Sequence, residues 1–299
     1  MRSIGRVKPA PFEYHAPATV DDAIALLAEH GDEAKPLAGG QSLVPLLALR
    51  LTRFAHLIDL NDVTSLSTMS RQGDEFVVGA MVRQDGVEYA PDVAAAVPLL
   101  ARATPLIGHF QIRSRGTVGG SLAHADPASE YPAVALALDA VFDIKGKNGV
   151  RSVAARDFFV STWTTCLDPD ELLVGIRFPA AGDRDGFSID EATRRHGDFA
   201  MVGCACAIGL DAAAAIDRAS IAFFGVGSTP IRANGAENAL IGRRREELDA
   251  DSLREIAQIA VRDLDPPSDV HATGRYRRDI GAVLVGRAMT NAMTEAARG

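Results

Sequence analysis

Cysteine is scarce in this chain. Its 299 residues include only Cys166, Cys204 and Cys206. An odd, sparse set builds no disulfide framework and fits a reducing compartment, so a cytoplasmic location is expected. An iron–sulfur cluster normally takes four thiolates, so the chain cannot hold one alone. Cys204 and Cys206 sit in an apolar run and read as small core side chains of a buried strand. Excess positive charge is also missing. The net charge is −8, whereas non-specific nucleic-acid binding needs a basic face that displaces counterions. No nucleic-acid partner is expected. No apolar run reaches the roughly 18 residues of a membrane span. The basic residues 1–6 have no apolar stretch after them and read as no secretory signal. There is no P-loop and no Cys-x-x-Cys. Gly225-Val226-Gly227-Ser228-Thr229-Pro230 has proline where the third Rossmann glycine belongs. Gly40-Gln41-Ser42-Leu43-Val44 lacks the closing glycine of a nucleophile elbow.

What is present is a chain long and apolar enough for a sizeable core and two domains. Residues 8–18 carry three prolines and read as extended. Thr19 with Asp22 makes a capping pair ahead of Ala23, Ile24, Leu27 and Ala28, whose spacing is helical, and Gly31 stops that helix. Short strands are predicted at 35–38, 57–60, 76–81 and 172–178, and helices at 92–106 and 127–138. Asn148-Gly149 marks a hairpin between strands at 141–145 and 150–154. A loop at 179–186 is the expected domain boundary. Beyond it come strands at 187–193, 200–210 and 219–226, with the alanine run 212–215 as a hairpin tip. Helices at 253–264 and 276–297 follow. Strands followed by helices imply an α+β layer, with helices on one face of an antiparallel sheet.

Two glycine pairs stand out: Ala38-Gly39-Gly40-Gln41-Ser42-Leu43 and Gly116-Thr117-Val118-Gly119-Gly120-Ser121. Glycine reaches positive φ and lets the backbone approach a ligand closely. Successive N–H groups can then converge on an anion. One such loop is equally well a tight strand-to-helix turn. Two in one chain point to a ligand with two phosphates gripped from both sides. Arg113 and Arg115 read either as positive charge beside that ligand or as solvated surface groups.

The two loops lie in "PLAGGQSLVPLLALRL" (36–51) and "RSRGTVGGSLAHADPASEYPAV" (113–134). With "FEYHAPATVDDAIALLAEHG" (12–31), "ELLVGIRFP" (171–179), "RRHGDFAMVG" (194–203) and "HATGRYRRDIGAVLVGRAM" (271–289), they resemble, in order and over nearly the whole chain, the FAD-binding medium subunit of molybdenum hydroxylases of the carbon monoxide dehydrogenase and xanthine dehydrogenase type. The resemblance implies an α+β fold. A two-lobed FAD-binding domain of the vanillyl-alcohol oxidase type would span 1–179, with lobes of about 1–56 and 57–179. A smaller α+β domain would span 187–299.

It also implies site residues. Ala38, Gly39, Gly40, Gln41 and Ser42 would hold the pyrophosphate of non-covalent FAD, and Leu43 and Val44 would continue along it. Thr117, Gly119, Gly120 and Ser121 would grip it from the second loop, with serine where the family often has asparagine. Glu130, where aspartate is usual, would hydrogen-bond the flavin nucleotide near Asp126. Asp126 reads equally as the cap of a helix opening at Pro127. Phe199, where tyrosine is frequent, would cover the isoalloxazine, or be an ordinary core phenylalanine. The backbone of Leu173 would meet the ring. No His, Cys or carboxylate cluster is spaced to complete a metal site around His124, Asp126 and Glu130, so none is expected. The implied activity is electron transfer from [2Fe–2S] clusters on a small subunit, through FAD, to an external acceptor. A large subunit would carry the molybdenum cofactor, in a dimer of heterotrimers. The alternatives are a self-contained flavin oxidase or reductase and a scaffold subunit without flavin.

Overall fold

The computed structural model describes residues 8–299; the basic N-terminal stretch lies outside them. The first lobe is a small parallel sheet that runs past the expected break at 56, because its central strand spans His56–Asp59 and Leu60 and Val63 join its core. Strands Glu13–His15 (β1), Ala34–Leu37 (β2) and His56–Asp59 (β3) lie in the order β1-β3-β2. Helix Val20–His30 (α1) joins the first two. Thr19 Oγ1 accepts the Asp22 N–H at 3.1 Å, and Gly31 ends the helix at a φ of 49°, as the capping pair and the glycine predict. Ala23, Ile24 and Leu27 bury against Ile58, Leu60 and Val63. The first glycine loop leaves β2 and enters a short helix, Leu43–Ala48 (α2).

The second lobe holds an antiparallel sheet. Its strands are Met69–Gln72 (β4), Glu75–Gly79 (β5), Val141–Gly146 (β6), Gly149–Ala154 (β7) and, after a two-stranded ribbon of Phe159–Ser161 (β8) and Thr164–Thr165 (β9), Leu172–Pro179 (β10). The order is β4-β5-β10-β6-β7. The β6–β7 hairpin closes on Gly146 and Gly149, where Asn-Gly predicts it. Helices Gln84–Tyr89 (α3), Pro91–Ala96 (α4), Pro98–Ala103 (α5) and Phe110–Arg113 (α6) lead to Val118–His124 (α7) and Glu130–Ala137 (α8). The single helix predicted at 92–106 is broken. Pro98 brings no N–H and its ring excludes the preceding carbonyl, so α5 restarts there, and Pro105 sits in a final 3-10 turn. The helix predicted from 127 starts at Glu130. Asp126 Oδ1 accepts the Ala128 N–H at 2.9 Å and the Ser129 N–H reaches the Asp126 carbonyl at 3.0 Å, which makes a turn before the helix. A short helix, Ala155–Phe158 (α9), packs beneath the sheet.

Asp185–Ala192 (β11), Val202–Leu210 (β12), Ile216–Phe224 (β13) and Ile231–Arg232 (β14) form a second antiparallel sheet, in that order. Asn234–Leu240 (α10), Ala250–Arg262 (α11) and Gly274–Ala296 (α12) follow. Side chains alternate across β12. Val202, Cys204, Cys206 and Ile208 pack with α11 and α12 through Ala257, Val285 and Met289. Ala205 and Ala207 join the core of the second lobe. The helices of this domain therefore cover one face of its sheet, and α8, buried along its whole length, covers the other. A helix that is apolar beyond its first two residues belongs in such a shared layer.

Candidate functional site

The first glycine loop leaves the C-terminal end of β2, the edge at which sites form in parallel sheets. Gly40 sits at a φ of 73°, a left-handed conformation that suits glycine. Gln41 Nε2 donates to the Gly39 carbonyl at 3.0 Å and locks the turn. Val44 N–H closes on the Gly40 carbonyl at 3.0 Å, so Leu43 and Val44 form the first turn of α2. Among the described residues, the N–H groups of Gly39, Gly40, Gln41 and Ser42 meet no acceptor, and the Ser42 hydroxyl caps nothing. Four consecutive free donors ahead of a helix suit an anion.

The second loop differs. Val118 N–H donates to the Val82 carbonyl at 3.0 Å and Gly119 N–H to the Ala80 carbonyl at 2.9 Å. Thr117 Oγ1 accepts the Gly120 N–H at 3.0 Å, and the Thr117 carbonyl accepts from Ser121 at 3.1 Å. These donors are spent inside the protein, so the expectation of two equivalent anion-binding loops needs correcting. The glycines here serve close packing. A Cβ on Gly119 would stand 2.7 Å from Ala80 Cα. One on Gly120 would lie 3.2 Å from the Ala38 Cβ, and one on Gly39 would overlap the Arg115 carbonyl. The two loops therefore touch.

Two residues that sequence reasoning missed hold them together. Asn61 Nδ2 donates to the Ala38 carbonyl at 3.3 Å, and the Arg83 guanidinium bonds both Asn61 Oδ1 and the Arg115 carbonyl. Asn61 follows the C-terminal end of a parallel strand, a position at which it could have been suspected. Arg113 faces no open site. It is buried in an ion pair with Glu88 at 2.7 Å and also donates to the Ile107 carbonyl. Arg115 is exposed.

A cavity of about 950 Å³ is lined by Ala128 of the second lobe and, from the second domain, by Arg194, Arg195, Phe199, Met201 and Arg277, among others, with no residue of either glycine loop among them. Phe199 is 71% exposed, which rules out a core role. Arg277 is buried. It donates to the Gly225 carbonyl at 2.9 Å and pairs with Asp269 at 2.6 Å, which braces the cavity floor. Glu130 opens α8 and is buried. Burial, with the charge of Glu191 in support, pushes its carboxyl up to about 8. At neutral pH it carries a proton and can donate. Glu191 is raised to about 7, also by burial first, and its Oε2 has no partner among the described residues. Asp126 Oδ2 accepts from Trp163 Nε1 at 3.3 Å. Burial lowers the pKa of His124, against the pull of Asp126. Leu173 is buried in β10 beside a bulge, where the register with β6 shifts. His124, Asp126 and Glu130 do not gather as metal ligands. Among the described residues, the group of three that does is His15, His30 and His56, far apart in sequence and not anticipated from it.

The chemistry of this donor set suits FAD: free amides for a pyrophosphate, a protonated carboxyl, and an open aromatic face beside a roomy cavity. Comparisons agree. The family model for the FAD binding domain in molybdopterin dehydrogenase matches residues 10–181, and that for the CO dehydrogenase flavoprotein C-terminal domain matches residues 187–292. The chain is 39% identical to the 6-hydroxypseudooxynicotine dehydrogenase complex subunit alpha of Paenarthrobacter nicotinovorans, covering 97% of each. It is 40% identical to the caffeine dehydrogenase subunit beta of a Pseudomonas species, covering 96% of each. A solved carbon monoxide dehydrogenase from Hydrogenophaga pseudoflava superposes with a TM-score of 0.92 at 37% identity, covering 96% of this chain and 99% of that one. The chain therefore belongs to the FAD-binding medium subunits of molybdenum hydroxylases, the electron-transferring flavoproteins of these oxidoreductases.

Proposed function

We propose that FAD lies across the two loops with its pyrophosphate on the N–H groups of Gly39, Gly40, Gln41 and Ser42. That unpartnered row of donors is the observation that carries the reading. The Ser42 hydroxyl adds a donor, Ala38 and Leu43 border the phosphates, and half-exposed Val44 extends the contact. Thr117, Gly119, Gly120 and Ser121 form the opposite wall, and the missing side chain of Gly120 leaves room. Asp126 sets the turn that presents protonated Glu130 to the nucleotide. The Leu173 backbone borders the ring, and Phe199 stacks on it. When bound, FAD supplies the redox couple; the chain binds it, orients it and screens it from water. Residues 1–179 carry the binding site, and residues 187–299 close the cavity over it.

The same reading assigns two partners in the cytoplasm, a small subunit with [2Fe–2S] clusters and a large subunit with the molybdenum cofactor, arranged as a dimer of heterotrimers. The cysteines support this division of labour. Burial pushes Cys206 up to about 12 and raises Cys204 well above its ordinary value, so neither offers a ready thiolate. Native purification tests the reading. It should recover two further polypeptides with iron and molybdenum, and acid should release intact FAD. A metal-free monomer that oxidises an organic substrate at enzyme-like rates would overturn it in favour of a self-contained oxidase. A folded chain that stays colourless with added FAD would point to a scaffold.

A further inference from the structure

Away from the flavin site, the first lobe gathers a second set of ligand-type groups. β1 and β3 are parallel, and Glu13 pairs directly with His56. His15, two residues on, falls on the same face. That face is the one α1 crosses, because Ile58, two residues beyond His56, packs with Ala23, Ile24 and Leu27. α1 ends at His30, which lays a third imidazole on the pair. The rings of His30 and His56 are 3.7 Å apart and 6° from parallel. His15 Nε2 stands 3.1 Å from His56 Nδ1. One nitrogen from each ring lies within 4.8 Å of the others, and Glu13 Oε2 is 3.6 Å from His56 Nδ1.

A tetrahedral zinc-type ion holds its nitrogen ligands about 3.3–3.4 Å apart. His15 and His56 already stand near that separation. An imidazole that carries one N–H keeps a lone pair on its other ring nitrogen, which is the atom a metal takes. A divalent cation can take one nitrogen from each of the three rings. Two further features favour it: the carboxylate of Glu13, and the negative end of the α1 dipole at His30. Imidazole ligands select zinc, copper, nickel or cobalt over magnesium or calcium.

We propose that His15, His30 and His56, with Glu13 as a fourth ligand, bind one divalent transition-metal ion of the zinc class. The ion pins β1 and the end of α1 to β3. The His30 ring leaves its stack on His56 to reach a separate corner of the tetrahedron. The site lies at the start of β3, on the sheet edge opposite the one from which the glycine loop leaves β2, so its role is to staple the lobe and not to carry electrons.

The test uses the full FAD-loaded chain, stripped with a chelator and titrated with Zn²⁺ by calorimetry at neutral pH. We expect one saturable equivalent and a higher melting temperature in its presence. His15→Ala, His30→Ala and His56→Ala should each weaken that binding by about tenfold or more. His30 lies at a helix end and is partly exposed, so its variant keeps the test readable if a strand variant misfolds. The flavin spectrum reports folding in each case. Absence of a saturable equivalent would overturn the proposal, as would binding that survives His30→Ala but disappears with Cys166→Ser.

Discussion

The two glycine loops look alike in sequence and do opposite things. The N–H groups of Gly39 to Ser42 meet no acceptor among the described residues. Val118 to Ser121 turn theirs inward, onto Val82, Ala80 and Thr117. On the proposed reading the first loop is the binding surface, and the second is the wall it leans on. A Gly-Gly pair therefore does not announce its job. Positive φ with free amides marks a ligand site, whereas ordinary φ with a neighbouring backbone under van der Waals distance marks packing.

The sharpest way to break this comparison is to add a side chain to the wall. Gly119→Val drives a Cβ to within 2.7 Å of Ala80 main-chain atoms that also accept its N–H bond. We expect the flavin-free chain to lose about 1–3 kcal/mol or more, read by denaturant unfolding. An unchanged midpoint would mean that the second loop is free to move.

Next in size is Gly40→Val. Valine resists the left-handed conformation and re-aims the free donors. Losing one hydrogen bond to a charged phosphate costs about 1.5–3 kcal/mol, or roughly tenfold to a hundredfold in FAD affinity. Fluorescence titration of the deflavinated chain measures it.

Glu130 extends the contrast to titration. Its folded pKa of about 8 lies above the ordinary 4.5. The folded state therefore holds a proton that the unfolded state releases. Stability from this group is full below about pH 4.5 and is lost as the pH rises through about 8. Glu130→Gln should flatten that slope and raise the melting temperature most on the alkaline side. A pH profile parallel to that of the wild type would show that Glu130 is not the group responsible.

The smallest expected change in stability belongs to Phe199→Ala. Its ring is largely exposed, so the flavin-free chain should stay within about 0.5 kcal/mol. The flavin spectrum or potential should still shift, with stacking worth about 0.5–1.5 kcal/mol. Marked destabilisation with an unaltered flavin would contradict the stacking role.

Local signals in the sequence carried far. Thr19 and Gly31 bounded α1, Asn148-Gly149 placed a hairpin, and both glycine loops were visible. What depended on tertiary partners was not. Nothing near Gly119 reveals that the Ala80 carbonyl will take its N–H, because Ala80 is brought there by β5. Arg83 and Asn61 are joined by folding across the two lobes. Pro127 satisfied the rule for a helix start, but the Asp126 side chain competes for the next amides and delays α8 to Glu130. Pro98 and Pro105 were visible breakers inside the run at 92–106, and its apolar, alanine-rich composition masked them. The three histidines of the first lobe meet only because β1 and β3 pair and α1 ends above them.

The most direct test measures FAD affinity and flavin-free stability together in Gly40→Val and Gly119→Val. The account predicts an unequal result: Gly40→Val loses at least about tenfold in affinity and only the roughly 1–2 kcal/mol of stability that a left-handed valine costs, whereas Gly119→Val, whose Cβ meets the Ala80 main chain, loses more of the unfolding midpoint. Equal FAD affinity in Gly40→Val and the wild type would contradict the assignment of the first loop to the pyrophosphate.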